Sequence, residues 1–357
     1  MTILLAILFA ILLFSLIIFV HELGHFAAAK LSGVQVNEFS MFMGPALVKW
    51  KKGETQYSIR CIPLGGYCAM EGEDKDTDNP RSFQKAAWWK RLIILVAGSF
   101  MNLVIGILLV AIVLSCQPKY ASTQLETVES WSLLAAENGL RPGDEIMEIN
   151  GERIRIYEDF AMATMFLPDG EYDLTVRRDG VVVQLHDVPM RRQTVPDDAG
   201  GESRLYGISF RVQDTTPTSV IKQLLPAAEY NVRIAIVSLK MLLTGQAGVD
   251  DLGGAVQIVK VMSDTATQAS SFGYAMLSLL SFGGLIAMNL AVINLLPIPA
   301  LDGGRCVGLL ITTAIEKITK KKVDPKYEGY IHGIFMMLLL GFMALITFKD
   351  IFMIIKG

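Results

Sequence analysis

The sequence predicts a polytopic α-helical membrane protein with four transmembrane helices and a β-rich extracytoplasmic domain. Hydrophobic residues make up 52% of the 357 residues and charged residues only 19%, and the mean hydropathy is +0.43. Because soluble domains usually carry about 25% charged residues, this apolar surplus indicates a lipid environment. The net charge of −3 excludes the basic surface of a nucleic-acid-binding protein. The four cysteines form no C-x-x-C pair, which excludes a cysteine-rich zinc module.

Four apolar stretches are long enough to cross a bilayer, whose core requires roughly 20 apolar residues of helix. They are residues 2–29, 92–116, 265–301 and 331–348. The first stretch lacks the basic n-region and the cleavage site of a secretory signal peptide. We therefore expect it to be a retained transmembrane helix.

A further apolar stretch, residues 217–245, is divided by Arg233 and Lys240 into pieces too short to span a bilayer. Its apolar residues recur at near-helical spacing, which predicts an amphipathic helix that begins at Pro226 and lies at the membrane surface. We assign residues 216–264 to such amphipathic interfacial helices.

The distribution of basic residues predicts the orientation of the spans. Lysine and arginine are concentrated between the first and second spans and between the third and fourth spans. Under the positive-inside rule both connections are cytoplasmic. This orientation places both termini and residues 117–264 outside.

Residues 56–70 are apolar, strand-like and rich in glycine, but they are too short and too interrupted for a spanning helix. They predict a re-entrant β-hairpin at about residues 54–72, which a membrane tolerates where the hairpin faces protein or a wet cavity. An ordinary cytoplasmic hairpin is the alternative. Residues 1–116 then form the first half of a membrane core, and residues 265–357 form the second half.

The region between the second and third spans alternates polar and apolar residues and contains Asn-Gly and Asp-Gly turns, the pattern of short β-strands. Residues 136–146, together with residues 149–151, resemble the signature of a PDZ domain, which we assign to residues 117–215. PDZ domains bind extended peptide ends by adding a strand to a sheet edge. A β-rich spacer without a ligand, or a domain that acts only as a size filter, remains an alternative.

An H-E-x-x-H motif occupies residues 21–25, within the first apolar stretch. Its i, i+4 spacing places His21 and His25 on one helix face, where both imidazoles can bind one metal ion. Glu22 lies beside them and can act as a base. Ionisable groups inside a membrane are costly and mark a functional site by default. The motif therefore predicts a metal centre at membrane depth.

A catalytic zinc ion needs three protein ligands and an open position. We expect the third ligand to be Asp302, which ends the longest uncharged stretch of the chain. Two prolines break the helix before it and two glycines follow it, as in a backbone that passes close to a cavity. Glu38 and Glu54 remain alternatives of the soluble zinc-protease kind. The histidine that a further zinc-protease pattern requires at position 31 is absent, since that residue is Leu31.

These motifs together resemble the site-2 protease family, and most closely its bacterial RseP/RasP-type branch. The resemblance covers nearly the whole chain. It is carried by the H-E-L-G-H motif, the hairpin, the PDZ signature and the N-x-x-P-x-P-x-L-D-G motif at residues 294–303. One departure is that the chain has room for a single PDZ domain, whereas enterobacterial members carry two.

The resemblance implies the roles of particular residues. The implied zinc ligands are His21, His25 and Asp302, and the implied catalytic base is Glu22. The implied substrate-binding residues are Asn289, Asn294, Pro297 and Pro299.

The resemblance also implies a zinc-dependent endopeptidase that performs regulated intramembrane proteolysis in the bacterial inner (cytoplasmic) membrane. Its active site would lie near the cytoplasmic side. Its partners would be the lipid bilayer and pre-trimmed single-pass membrane proteins, such as anti-sigma factors or signal-peptide remnants, and no nucleic acid. A membrane-tethered PDZ scaffold with a structural metal is the alternative, although a structural zinc would need a fourth ligand. A transporter is a third option, but inverted repeats are not evident in the sequence.

Overall fold

Four helices of the described chain are long and apolar enough to cross a membrane. The computed structural model describes residues 3–73, 77–135, 139–165, 167–196, 201–246, 255–269, 271–321, 323–324 and 326–356. The helices are α1 (Ile3–Ser32), α2 (Trp88–Cys116), α3 (Tyr157–Met165), α4 (Pro217–Leu243), α5 (Ala255–Gln268), α6 (Phe272–Asn294), α7 (Asp302–Thr319) and α8 (Lys326–Lys356). The strands are β1 (Val36–Lys52), β2 (Thr55–Met70), β3 (Lys119–Val128), β4 (Glu145–Ile149), β5 (Glu152–Arg153), β6 (Gly170–Arg178), β7 (Val181–Met190), β8 (Gln193–Pro196), β9 (Glu202–Leu205) and β10 (Ile208–Asp214).

The chain divides into two units. One consists of Met1–Val110 with Asn231–Gly357, and the other of Ala111–Tyr230. The first unit contains most of each candidate span, and the second contains strands β3–β10.

The candidate spans lie on α1, α2, α6 and α8, as the four apolar stretches predict. Their bounds are Leu8–Ser32, Trp88–Cys116, Phe272–Asn294 and Gly329–Met353. The prediction of a multi-pass membrane protein with four spans and a separate β-rich region is therefore confirmed.

The third span is shorter than predicted, because residues 265–301 do not form one helix. The side chain of Ser271 accepts a hydrogen bond from the backbone N–H of Tyr274 and caps the start of α6. The helix ends at Asn294, ahead of the two prolines, and a new helix, α7, begins at Asp302. The helix α7 was not among the elements predicted from the sequence.

The amphipathic segment also begins earlier than predicted. The helix α4 starts at Pro217, a residue type that suits the first helical position, and Pro226 lies inside it. Thr216 and Ser219 cap this start reciprocally, since each backbone N–H donates to the other residue's hydroxyl. The interfacial position of residues 216–264 stays a prediction, and residues 247–254 lie outside the described chain.

The hairpin predicted at about residues 54–72 is not formed within that segment. Residues 55–70 form the single long strand β2, which pairs antiparallel with β1. The turn that joins the two strands contains Gly53. The partner strand β1 was not predicted from the sequence. Phe39 has partners on both sides, Cys68 and Tyr57, so the sheet folds back on itself where its register shifts.

A polar network joins β1 to β2. The guanidinium group of Arg60 donates to the Glu38 carboxylate (2.8 Å), the Ser40 hydroxyl (3.0 Å), the Gly44 carbonyl (2.6 Å) and the Tyr67 hydroxyl (2.5 Å). Gly44 adopts a positive φ of 84°. Arg60 therefore links the bend of β1 at Gly44 to β2.

The second unit is built on an antiparallel sheet with the strand order β10-β3-β4-β6-β7, and the short strand β5 pairs with β4. Its core residues are almost fully buried and alternate along the strands, as a half-buried sheet requires. They include Leu125, Ile146, Leu174, Val176 and Met190. The helix α3 adds Phe160, which packs edge-on against Phe210 of β10 with ring centroids 4.8 Å apart.

The PDZ-like signature lies partly outside the described chain, since residues 136–138 are not described. The remaining part forms the turn before β4. Gly143 adopts φ +93°, and the buried Asp144 carboxylate accepts bonds from the Arg141 backbone N–H and the Arg178 guanidinium, both at 2.8 Å. The assignment of this unit to the PDZ family stays a prediction.

Glu54, in the turn between β1 and β2, links three parts of the first unit. Its carboxylate accepts hydrogen bonds from Arg81 at 2.5 and 2.9 Å and from Lys30, near the end of α1, at 2.6 Å. These bonds lower the pKa of Glu54 from its ordinary 4.5 to about 2. Its contribution to stability is therefore present above about pH 4.5 and is lost as the pH falls towards 2.

We expect Glu54→Gln to lower the unfolding temperature at pH 7 by about 1–3 °C, because it replaces a charged acceptor at the protein surface. The difference from wild type should shrink below pH 4.5 and vanish near pH 2. Thermal unfolding in detergent at several pH values measures it. Glu152→Gln, at an exposed position on β5, is the control and should show no such difference. A deficit in Glu54→Gln that does not change with pH would contradict the assignment.

Candidate metal centre

The helix α1 places its two motif histidines one turn apart on the same face. The Nε2 atoms of His21 and His25 are 3.2 Å apart, and their side chains are 13% and 10% exposed. A side chain at i and another at i+4 meet on one face because the helix has 3.6 residues per turn. Two nitrogen atoms that could bind one metal ion thus face the same small space.

The third member of the group is Asp302, the first residue of α7. Its Oδ2 atom lies 3.3 Å from His21 Nε2 and 3.4 Å from His25 Nε2. Among the described residues, these three form the group of histidine, cysteine and acidic side chains that could hold a metal. The structure therefore brings together the three ligands predicted from the sequence.

These three ligand atoms fit a zinc ion. Ligand atoms that are each roughly 2.0–2.1 Å from a tetrahedral zinc ion lie about 3.4 Å from one another. The three observed separations are 3.2, 3.3 and 3.4 Å. In addition, Asp302 Oδ2 is buried and has no hydrogen-bond partner in the described chain. Two imidazoles and one carboxylate are a ligand set of catalytic zinc sites, in which the fourth position stays open.

The position of Asp302 depends on the tight loop before it. A Cβ atom on Gly303 would lie 2.3 Å from the Leu295 carbonyl, and one on Gly304 would lie 2.3 Å from the Ile298 carbonyl oxygen. Only glycine lets α7 begin so close to the end of α6. The Ala300 backbone N–H donates to His332 Nδ1 of α8 at 2.9 Å, which anchors the same loop.

The helix α2 contacts both histidines, and these contacts were not predicted from the sequence. The Ile94 carbonyl oxygen of α2 lies 2.8 Å from His25 Nδ1 and accepts its proton, which leaves Nε2 free to bind a metal. One turn later, a Cβ atom on Gly98 would lie 2.3 Å from His25 Nε2 and 2.7 Å from His21 Cε1. The only sequence signal for this contact is a glycine inside an apolar helix.

Glu22 belongs to α1, and β2 passes over its side chain. A Cβ atom on Gly66 of β2 would come within 3.1 Å of the Glu22 Cγ atom and of the Ser40 carbonyl oxygen. Gly66 thus lets the strand pass directly over the glutamate. The side chain is partly buried and adjoins the first histidine.

The predicted substrate-binding residues lie on or after α6. Asn289 and Asn294 are both partly buried on this helix, and Asn289 Oδ1 has no hydrogen-bond partner among the described residues. Pro297 and Pro299 line a cavity of about 340 Å³ together with residues of α7 and α8. The described contacts do not join either asparagine to the three metal-ligand candidates.

The alternative ligands Glu38 and Glu54 do not belong to the metal group. Glu38 pairs with Arg60, and Glu54 pairs with Lys30 and Arg81. Both carboxylates are therefore used by basic side chains elsewhere in the first unit.

Comparison with known proteins decides the family. A family model described as peptidase family M50 matches residues 9–342. The chain belongs to this family, that of the site-2 proteases. A protein of Clostridium perfringens named a candidate zinc metalloprotease is 36% identical over 349 residues, which cover 97% of this chain and 98% of the relative. Equivalent relatives occur in Clostridium acetobutylicum, 36% identical and covering 96% of both chains, and in Fusobacterium nucleatum, 32% identical and covering 96% of this chain and 98% of the relative.

Membership of this family, together with the four candidate spans, confirms that the protein is a zinc metalloprotease of the membrane. The predicted enzyme class and the predicted cofactor are therefore correct. The family's zinc also agrees with the spacing of the three candidate ligand atoms.

We expect Gly98→Ala to reduce the zinc content of the purified M50 peptidase to well below one ion per chain. The added methyl group would overlap both imidazoles and push them apart. Gly341→Ala is the matched control, because a Cβ atom at that helical glycine of α8 meets no atom within 4 Å. Elemental analysis of both variants measures the effect, and full zinc occupancy in Gly98→Ala would contradict the close approach of α2.

Proposed function

We propose that this M50 peptidase cuts peptide bonds within the membrane, with His21, His25 and Asp302 as zinc ligands and Glu22 as catalytic base. The observation that carries the proposal is the triangle of ligand atoms, with sides of 3.2, 3.3 and 3.4 Å, between a candidate span and the first turn of α7. Three protein ligands leave one coordination position for water or substrate, as in catalytic zinc sites.

The chain's own residues handle the proton in this reaction. When bound, zinc supplies a Lewis acid that lowers the pKa of water and polarises the scissile carbonyl. Glu22 adjoins the first ligand, so it can take a proton from the attacking water and return it to the leaving amine. Gly66 has no side chain, so β2 can pass close to Glu22 without displacing it.

The substrate class that we propose is the transmembrane segment of single-pass membrane proteins. A helix hides its carbonyl groups in i→i−4 hydrogen bonds, so a substrate helix must unwind locally before hydrolysis. The unwound backbone then needs new partners. Asn289 Oδ1, which is buried and unpaired in the described chain, the Asn294 amide and the edge of β2 can supply them. Pro297 and Pro299 would bound the same region.

We also propose the orientation that the basic loops favour. Both termini then lie outside the inner membrane, and the metal centre lies near its cytoplasmic side. Lys30 near the end of α1 and Lys90 and Arg91 at the start of α2 are on the side expected for cytoplasmic flanks. The re-entrant position of β1 and β2 belongs to the same proposal.

The β-rich unit contains a groove of about 570 Å³ that would suit a peptide end. One wall is α3, including Phe160, Ala161 and Thr164, and the other is the segment from Arg204 to Phe210. The strand β10 is at one end of the sheet in the described chain, so its edge can accept an added strand. We propose that this PDZ-like groove binds the chain end released by an earlier cut. Anti-sigma factors and signal-peptide remnants that have been trimmed in this way fit such a preference.

The alternative function is a membrane-tethered PDZ scaffold with a structural metal. A structural zinc site is closed by four protein ligands. The group found in the described part of the chain has three. This difference favours the protease.

We expect Glu22→Gln to lower peptide hydrolysis by about 10²-fold to 10⁴-fold while zinc stays bound, because the base is lost but the ligands remain. Asp302→Ala should lose both zinc and activity. Zinc content and cleavage of a transmembrane substrate in proteoliposomes measure the two effects. Loss of zinc from Glu22→Gln, or full zinc retention in Asp302→Ala, would contradict these roles.

We expect the intact protease to cleave a trimmed substrate several-fold faster than the same substrate with a folded ectodomain. Ala161→Trp, which fills the groove, should remove most of this preference by slowing cleavage of the trimmed form. Glu152→Gln, an exposed position that does not line the groove, is the control. Ala163→Trp would not serve, because Ala163 packs against the core of the second unit. A preference that survives Ala161→Trp would indicate a size filter. Equal cleavage rates for the two substrates with the intact enzyme would exclude both peptide binding in the groove and a size filter.

A further inference from the structure

Asn102 of α2 is a buried amide directed at the first histidine. The residue is 1% exposed, and its side-chain Nδ2 atom lies 3.2 Å from His21 Nδ1. Its other terminal atom, Oδ1, is buried and has no hydrogen-bond partner in the described chain. The two terminal atoms of an amide have nearly the same size and differ in that one donates and the other accepts, so the hydrogen-bond partners decide which of them faces the histidine.

As placed, the amide conflicts with the metal centre. If Nδ2 donates to His21 Nδ1, the neutral imidazole carries its proton on Nε2. That atom is the one that lies 3.3 Å from Asp302 Oδ2 and 3.2 Å from His25 Nε2. A protonated Nε2 has no lone pair for a metal. Exchanging the two terminal atoms of the amide removes the conflict, because Oδ1 then accepts the proton of Nδ1 and is no longer unpaired.

We propose that Asn102 is a positioning residue that accepts a hydrogen bond from His21 Nδ1 through Oδ1 and so directs the Nε2 lone pair at the metal. This inference rests on the proposed ligand role of His21. Metal-binding histidines almost always donate their second ring nitrogen to an acceptor, and loss of that acceptor weakens metal binding.

The geometry of α2 supports this role. Ile94, Gly98 and Asn102 are spaced four residues apart and lie along one face of the helix. Ile94 supplies a backbone carbonyl for His25 Nδ1, and Gly98 supplies the space for both rings. Asn102 completes the row by supplying the acceptor for His21. One helix face thus sets the tautomers of both histidine ligands.

The experiment compares the zinc affinity of full-length variants in detergent by competition with a chelator. Asn102→Leu keeps a similar volume but removes the acceptor, and should weaken zinc binding by about 10-fold to 100-fold. Asn102→Asp keeps an acceptor and should bind zinc at least as tightly as wild type. Ser99→Ala is the matched control, since Ser99 is a buried hydroxyl on the same helix with no described contact to either histidine. The zinc affinity of Ser99→Ala should equal that of wild type.

The absorption spectrum of bound Co²⁺ supplies a second readout. It should match wild type in Asn102→Asp and change in Asn102→Leu. Wild-type zinc affinity in Asn102→Leu, or equal losses in the leucine and aspartate variants, would overturn the inference. Asp302→Ala, measured in parallel, separates the two proposals. If Asp302→Ala loses zinc while Asn102→Leu keeps it, the positioning role alone fails, whereas normal zinc binding by Asp302→Ala would overturn the ligand set itself.

Discussion

The metal centre requires three backbones to approach one point more closely than ordinary side chains permit. Ligand atoms about 3.4 Å apart must come from α1 and from the start of α7, with α2 packed beside them. Glycine meets this requirement at three contacts. Gly24 of α1 lies against the Ala97 carbonyl of α2, Gly98 faces the histidines, and Gly303 lies against the end of α6.

Polar groups in apolar surroundings are costly unless they are paired, and the structure pairs most of those near the metal centre. His25 uses a backbone carbonyl of α2. The Asp302 carboxylate lies in the first turn of α7, where the helix dipole favours a negative charge. Its Oδ2 atom and Asn102 Oδ1 are left without hydrogen-bond partners in the described chain. Asp302 Oδ2 lies against both histidine Nε2 atoms, and the other terminal atom of the Asn102 amide faces His21.

The two β-rich parts use polar residues in different ways. In the β1–β2 sheet, Arg60 donates hydrogen bonds to acceptors of both strands, including the carbonyl of Gly44 at the bend. In the second unit, Asp144 and Arg178 close the turn before β4. Neither network is visible as a motif, because the partners are separated by many residues in the sequence. The strand β1 was not predicted, because its pairing with β2 and contacts such as that of Glu38 with Arg60 join residues that are far apart in the sequence.

The sequence by itself determined the four spans, the β-rich region, the zinc chemistry and the three candidate ligands. Apolar length and the short H-E-x-x-H spacing are local properties, so they can be read without a fold. Only the tertiary structure decided which groups support those ligands. The contacts of Gly98 and Asn102 with α1, the start of α7 at Asp302 and the pairing of β1 with β2 depend on segments that meet across long stretches of chain. No local pattern encodes such meetings, because they are fixed by packing and by the pairing of buried polar groups.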